Sequence, residues 1–129
     1  MERTYISASD GYSLFLREFK SRLQASGVEL TDSPTDATAT FTISFDDTSQ
    51  RVLSVSARNV PTEYEVFYTI SYSLDAGAET LLPQQTLTLT RNYTYDSTLV
   101  LGKAHEEELL REAIVKDLVR VVMKQISTL

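Results

Sequence analysis

The 129-residue sequence contains no cysteine, one histidine, four glycines and three prolines. Without cysteine there is no disulfide, no thiol nucleophile and no Cys-based zinc or iron–sulfur site. So little glycine and proline argues against a low-complexity or disordered chain. No run approaches the ~18 consecutive apolar residues of a spanning helix, and no signal peptide is visible. GxGxxG and GxxxxGK[ST] loops, which cradle phosphates on backbone N–H groups, are missing. The formal charge of −6 and a pI near 4.7 weigh against nucleic acid, whose binders present a basic face. Any anionic partner therefore requires a local basic patch that overrides the global sign.

Hydrophobic residues at 42% and charged residues at 23% are an ordinary globular balance, so the chain buries a core without metal or disulfide staples. Residues 1–129 read as a single domain, since one core holds ~100–200 residues. Met1-Glu2-Arg3 runs at once into strand-like Thr4-Tyr5-Ile6. That abrupt start reads as a beginning inside a longer natural protein.

After an extended run over residues 3–8, Ser9 or Asp10 occupies a helix N-cap position. Tyr12, Phe15, Leu16, Phe19 and Leu23 then follow helical spacing, the mark of one buried face. Gly27 closes the helix where a left-handed residue is wanted. Residues 31–38, with Pro34, read as loop. Four runs of period-two alternation follow: Phe41, Ile43, Phe45; then Leu53, Val55, Ala57; then Tyr64 to Leu74; then Leu87, Leu89, Tyr93, Tyr95. Asp46 to Gln50, Asn59 to Thr62 and Asp75 to Thr80 read as the turns between them, as in an antiparallel meander. A last helix spans about Lys103 to Ser127, with Glu106, Glu107 and Glu108 early and Arg120 and Lys124 late, the order that suits the helix dipole. The expected fold is α+β, with two helices packed on one face of a mainly antiparallel four- to five-stranded sheet.

That arrangement leaves one sheet face open. Thr40, Thr42, Ser44, Ser54, Ser56, Thr69, Ser71, Ser73, Thr86, Thr88 and Thr90 are expected to point there. Threonine suits any solvated strand surface. A face of small hydrogen-bonding residues also suits close contact with a polar wall, whereas ordinary surfaces use more Lys and Glu.

No constellation for catalysis or metal binding emerges, and no cofactor is implied. His105 stands alone in the first turn of the last helix, where exposure is the plain explanation. Glu106, Glu107 and Glu108 point about 100° apart around the helix and do not converge on one ion. Asp46-Asp47 has the chemistry of a turn. Three cations draw more interest. Arg58 ends a strand, and Arg91 interrupts an apolar phase, at the margin of the buried face or paired with a carboxylate. Lys103 stands at the wrong end of a helix for the dipole, where it can hold an anion.

Three segments carry a family resemblance. The first is Leu23-Gln24-Ala25-Ser26-Gly27-Val28-Glu29-Leu30. The second is Arg58-Asn59-Val60-Pro61-Thr62-Glu63-Tyr64-Glu65-Val66. The third is Arg91-Asn92-Tyr93-Thr94-Tyr95-Asp96 running through Leu99-Val100-Leu101-Gly102-Lys103 into Glu106-Glu107-Glu108-Leu109-Leu110. In order and spacing, over nearly the whole chain, they resemble LptE, the lipoprotein family of lipopolysaccharide assembly in Gram-negative outer membranes.

The resemblance implies a non-enzymatic component that plugs and supports the LptD β-barrel, on the periplasmic side of the outer membrane. It also implies lipopolysaccharide binding, with Arg58 and Lys103 at the positions implicated in that contact. A signal peptide and a lipidated cysteine are implied too, an N-terminal anchor that these 129 residues lack. Porin-type barrel interiors are polar, which the Thr/Ser face matches, and lipid phosphates suit Arg as a fork and Lys as a point charge. Two alternatives stay open. One is a periplasmic scaffold for another outer-membrane barrel. The other is a small ligand-pocket protein, or small enzyme, lined by Tyr64, Tyr68, Tyr72, Tyr93 and Tyr95.

Overall fold

The computed structural model describes residues 2–55, 57, 61–94 and 103–129, without the side chains of residues 61, 62 and 103–105. The elements run β1 (Arg3–Ala8), α1 (Leu14–Ala25), β2 (Glu29–Thr31), β3 (Ala39–Val55), β4 (Pro61–Ala76), β5 (Glu79–Thr94) and α2 (Lys103–Ser127). A single 3-10 turn, Pro34–Asp36, lies between β2 and β3. The strands form one sheet in the order β2-β1-β3-β4-β5. β1 pairs parallel with both β2 and β3, while β3, β4 and β5 form an antiparallel meander. The α+β architecture read from the sequence is the one observed.

α1 is bounded by two local devices. Ser13 is the N-cap, its hydroxyl accepting from the Leu16 N–H at 3.0 Å. Asp10, one of the two expected caps, instead accepts from the N–H of Tyr12 at 2.9 Å. Tyr12 therefore lies before the helix and is 98% exposed, not part of the buried face. At the other end Val28 N–H reaches the Leu23 carbonyl and Gly27 N–H the Gln24 carbonyl, with Gly27 at φ 94°. This paired closure needs a left-handed residue, and glycine adopts that conformation without a Cβ penalty.

Phe15, Leu16, Phe19 and Leu23 bury as the helical spacing predicts. Their rings form a continuous row across the layers: Phe15 to Phe19 at 5.5 Å, Phe19 to Phe41 at 4.4 Å and Phe41 to Tyr72 at 5.5 Å between centroids. Ile114, Val115, Leu118, Val119 and Val122 of α2 join the same core. Along β4 the alternation is faithful, with Val66, Tyr68, Ile70, Tyr72 and Leu74 all buried.

β3 departs from the sequence reading. Asp46 to Gln50 is no turn; it is the middle of one 17-residue strand paired with β4 throughout. A bulge between Ile43 and Phe45 shifts the register, and an extra residue exchanges the faces that follow. Phe45 then lies opposite Ser71 and is 48% exposed, while Asp46, Thr48 and Gln50 pair with inward-facing Ile70, Tyr68 and Val66. Leu53 and Val55, read as core, are about half exposed, as is Val52. Polar residues turned inward disguise a strand as a loop.

These polar residues find partners. The Tyr68 hydroxyl donates to Asp46 Oδ1 at 2.5 Å and accepts from the Phe15 N–H at 3.3 Å. Burial, reinforced by the Asp46 carboxylate, pushes the Tyr68 phenol well above its ordinary range. The Tyr93 hydroxyl donates to Glu107 at 2.5 Å. With its amide nitrogen as donor, Gln50 reaches the same carboxylate at 2.7 Å and Tyr93 Oη at 3.3 Å. Tyr72 donates to Gln125.

Truncating the centre of the aromatic row, Phe19→Ala, is expected to cost about 3–5 kcal/mol of stability through lost burial and the cavity left behind. Tyr12→Ala is expected to stay within about 0.5 kcal/mol because the ring touches little. Urea denaturation of the two variants checks both. Similar losses in the two would contradict the assignment of the core.

Candidate functional site

Both helices lie on one face of the sheet, and among the described residues no element covers the other. On that open face the strands present two kinds of chemistry. Towards the β4–β5 turn it is hydroxyl-rich. Thr69 and Thr88 share a hydrogen bond at 2.8 Å, as do Ser71 and Thr86. Ser44 donates to the Ser71 carbonyl at 3.3 Å and accepts from Gln84 at 3.2 Å. Thr42 lies opposite Ser73 on the same face. Small hydroxyls thus satisfy one another across strands and leave a low surface, with the carboxylates of Asp47, opposite Thr69, and Asp75, opposite Thr40, on the same face.

Towards the β3–β4 connection the face becomes charged and aromatic, which the threonine count did not foretell. Arg51 Nε donates to Glu65 Oε1 at 2.6 Å, and its guanidinium lies 5.6 Å from the centre of the Phe67 ring. Ser54 donates to Glu63 at 3.1 Å. Ser56, expected on this face, lies outside the described residues.

Arg58 also lies outside the described residues, as does the side chain of Lys103. The elements that flank them are described and converge on one end of the sheet. Val55 pairs with Pro61 at the mouth of the β3–β4 connection, and Glu63 pairs with Thr94 at the end of β5. Tyr93, stacked on Tyr64 at 5.2 Å, holds Glu107 in the second turn of α2 against that same end. Val52, Leu53 and Val55 expose apolar side chains along the strand leading to Arg58.

Arg91, the third cation singled out, resolves as a paired one. It donates to Asp117 of α2 at 2.7 Å, and Arg120 reaches the other oxygen of that carboxylate at 3.0 Å. The interruption of the apolar phase is thus a tie between β5 and α2. The tyrosines of the pocket alternative pack into the core. Tyr64 stacks on Tyr93, Tyr72 stacks on Phe41, and all four described rings are buried. Tyr95 lies outside the described residues.

The family model of lipopolysaccharide-assembly LptE matches residues 1–126. The chain belongs to the LptE family. The fold is also that of a rare lipoprotein B from Shewanella oneidensis, at a TM-score of 0.82 and 22% identity over 98% of this chain and 94% of that one. Lipoprotein B from Nitrosomonas europaea gives 0.82 and 26%, over 98% and 82%. A minor lipoprotein from Acinetobacter baumannii gives 0.79 and 21%, over 98% and 91%. No curated protein sequence matches.

The Asp117 carboxyl is held below the usual carboxylate range, chiefly by the hydrogen bond from Arg91 and further by Arg120. A carboxylate depressed in the folded state contributes stability above its unfolded value near ~4, and that contribution is lost as pH falls below it. Asp117→Asn should therefore destabilise the protein at neutral pH and converge with the parent at strongly acid pH. Denaturation midpoints measured from neutral to acid pH test this. A gap between the two proteins that does not narrow in acid would refute it.

Proposed function

We propose that this LptE-family domain plugs and supports an LptD-type outer-membrane β-barrel and contacts lipopolysaccharide on its way to the outer leaflet. In this reading the full-length protein is a lipoprotein held at the periplasmic side of the outer membrane, as its solved relatives are named lipoproteins. The role is non-catalytic. The observation that carries it is the convergence, at one end of the sheet, of the β3–β4 connection and the first turns of α2, beside exposed Val52, Leu53 and Val55. Arg58 and Lys103 belong to those two segments.

The chemistry follows from the two halves of the ligand. Acyl chains favour the exposed apolar residues, and burial returns about 25 cal/mol per Å² of apolar surface. Phosphates favour the cations, Arg58 through two parallel hydrogen bonds and Lys103 as a point charge near a helix N-terminus, whose free N–H groups add to the attraction. Because the chain carries −6 overall, such an attraction is local and is screened by salt.

The open sheet face supports the plug. Barrel interiors are polar, and small hydroxyls that meet such a wall lose little on desolvation when they find partners there. The Thr69–Thr88 and Ser71–Thr86 pairs can exchange one mutual hydrogen bond for bonds to the wall.

Two measurements test the proposal. Co-expression with the cognate barrel should yield a stable one-to-one complex, and failure to co-purify would remove the plug. An Arg58→Glu, Lys103→Glu double variant with unchanged circular dichroism should bind lipopolysaccharide about tenfold more weakly or worse, in line with the loss of two charge-assisted contacts. Undiminished binding would remove the assigned contact.

A further inference from the structure

Away from the first turns of α2, where Glu106, Glu107, Glu108 and Glu112 stand, the helix layer carries a charge opposite to that of the chain. Across α1 and residues 113–127 there are six basic residues, Arg17, Lys20, Arg22, Lys116, Arg120 and Lys124, against two acidic ones, Glu18 and Asp117. The remaining sequence holds six basic residues against sixteen acidic. All six cations of the layer are exposed, and the two helices lie side by side. Arg17 and Lys116 flank the shallow groove between them, where Glu18 and Glu112 also sit.

Ordinary helix chemistry accounts for part of this. Arg22 and Lys124 stand in last turns, where cations suit the dipole. Arg120 shares Asp117 with Arg91. Neither reason covers Arg17, Lys20 and Lys116, which lie away from the last turns. Most of the helices' large apolar residues pack against the sheet, Leu109 being half exposed.

We infer that this face rests on an anionic phospholipid surface, with the lysines and arginines of α1 and α2 against lipid phosphates. The charge is complementary, and the surface is of the right kind. Basic residues held near an anionic leaflet attract it additively and without insertion. A lipid anchor and a basic patch also reinforce one another as two membrane signals. The inference rests on the lipoprotein reading above and concerns the tethered domain outside its barrel. The acidic remainder of the chain, repelled by the same leaflet, would turn the open sheet face away from it and towards other partners.

Flotation of the 129-residue protein with vesicles tests this. Vesicles of phosphatidylethanolamine and phosphatidylglycerol should carry the protein up, and vesicles of phosphatidylethanolamine and phosphatidylcholine should not. Two charge-matched variants separate the face from the net charge: Lys20→Glu with Lys116→Glu on the helices, and Arg3→Glu with Arg51→Glu on the strands. The helix pair should lower vesicle affinity by at least about tenfold at low salt, as the loss and reversal of two surface charges implies. The strand pair should change it far less. A milder Lys20→Gln, Lys116→Gln pair gives the same ranking if the reversal pair does not fold. Equal losses in helix and strand pairs, or equal flotation with neutral vesicles, would overturn the inference. Binding to lipopolysaccharide aggregates but not to phosphatidylglycerol vesicles would overturn it too. The vesicles contain neither barrel nor lipopolysaccharide, so failure here leaves the plug and its two-cation contact standing.

Discussion

The structure depends on how the tyrosines of β4 and β5 are used. Tyr68, Tyr72 and Tyr93 sink their rings into the layer between sheet and helices, and each sends its hydroxyl to a polar group at the margin of that layer. The partners are Asp46 on β3, Gln125 near the end of α2 and Glu107 near its start. A phenol supplies apolar area and one directed hydrogen bond. These residues therefore join core burial to the placement of the elements around it, and unpairing one would strand a buried polar group.

This arrangement permits the long β3 strand. A bulge at residue 44 turns Asp46, Thr48 and Gln50 inward, an unfavourable outcome in an apolar core. Tyr68 and Tyr93 answer Asp46 and Gln50 directly. The same bulge turns Phe45 outward and shapes the open face, so the inner hydrogen bonds and the outer surface are consequences of one extra residue. At the far end of the sheet, the Tyr93–Glu107–Gln50 cluster fixes α2 against the strands.

The two broad faces then differ in kind. The sheet offers paired hydroxyls and, at one end, an Arg51–Glu65–Phe67 group. Away from the acidic first turns of α2, the helices carry more basic than acidic residues within an acidic chain. The role proposed for this domain, between a membrane, a barrel and a phosphorylated lipid, has a use for each.

Much of this was legible in the residues. The spacing of Phe15, Leu16, Phe19 and Leu23, the alternation from Tyr64 to Leu74, and Gly27 after the helix each carry a local signal that tertiary context left intact. The pairing of Arg91 with a carboxylate was legible as one of two options. Residues 46–50 were not legible, because periodicity assumes an unbroken register and an apolar inner face, and the bulge removes both. The parallel pairing of β2 with β1 was equally hidden in a segment of three residues. The sequence by itself determined both helices, the strand of Tyr64 to Leu74, most of the core and the family, since these follow from local pattern and motif order. Only the tertiary structure decided which polar residues turn inward and which carboxylate Arg91 reaches. Those depend on register and on partners distant in the chain, which no local window contains.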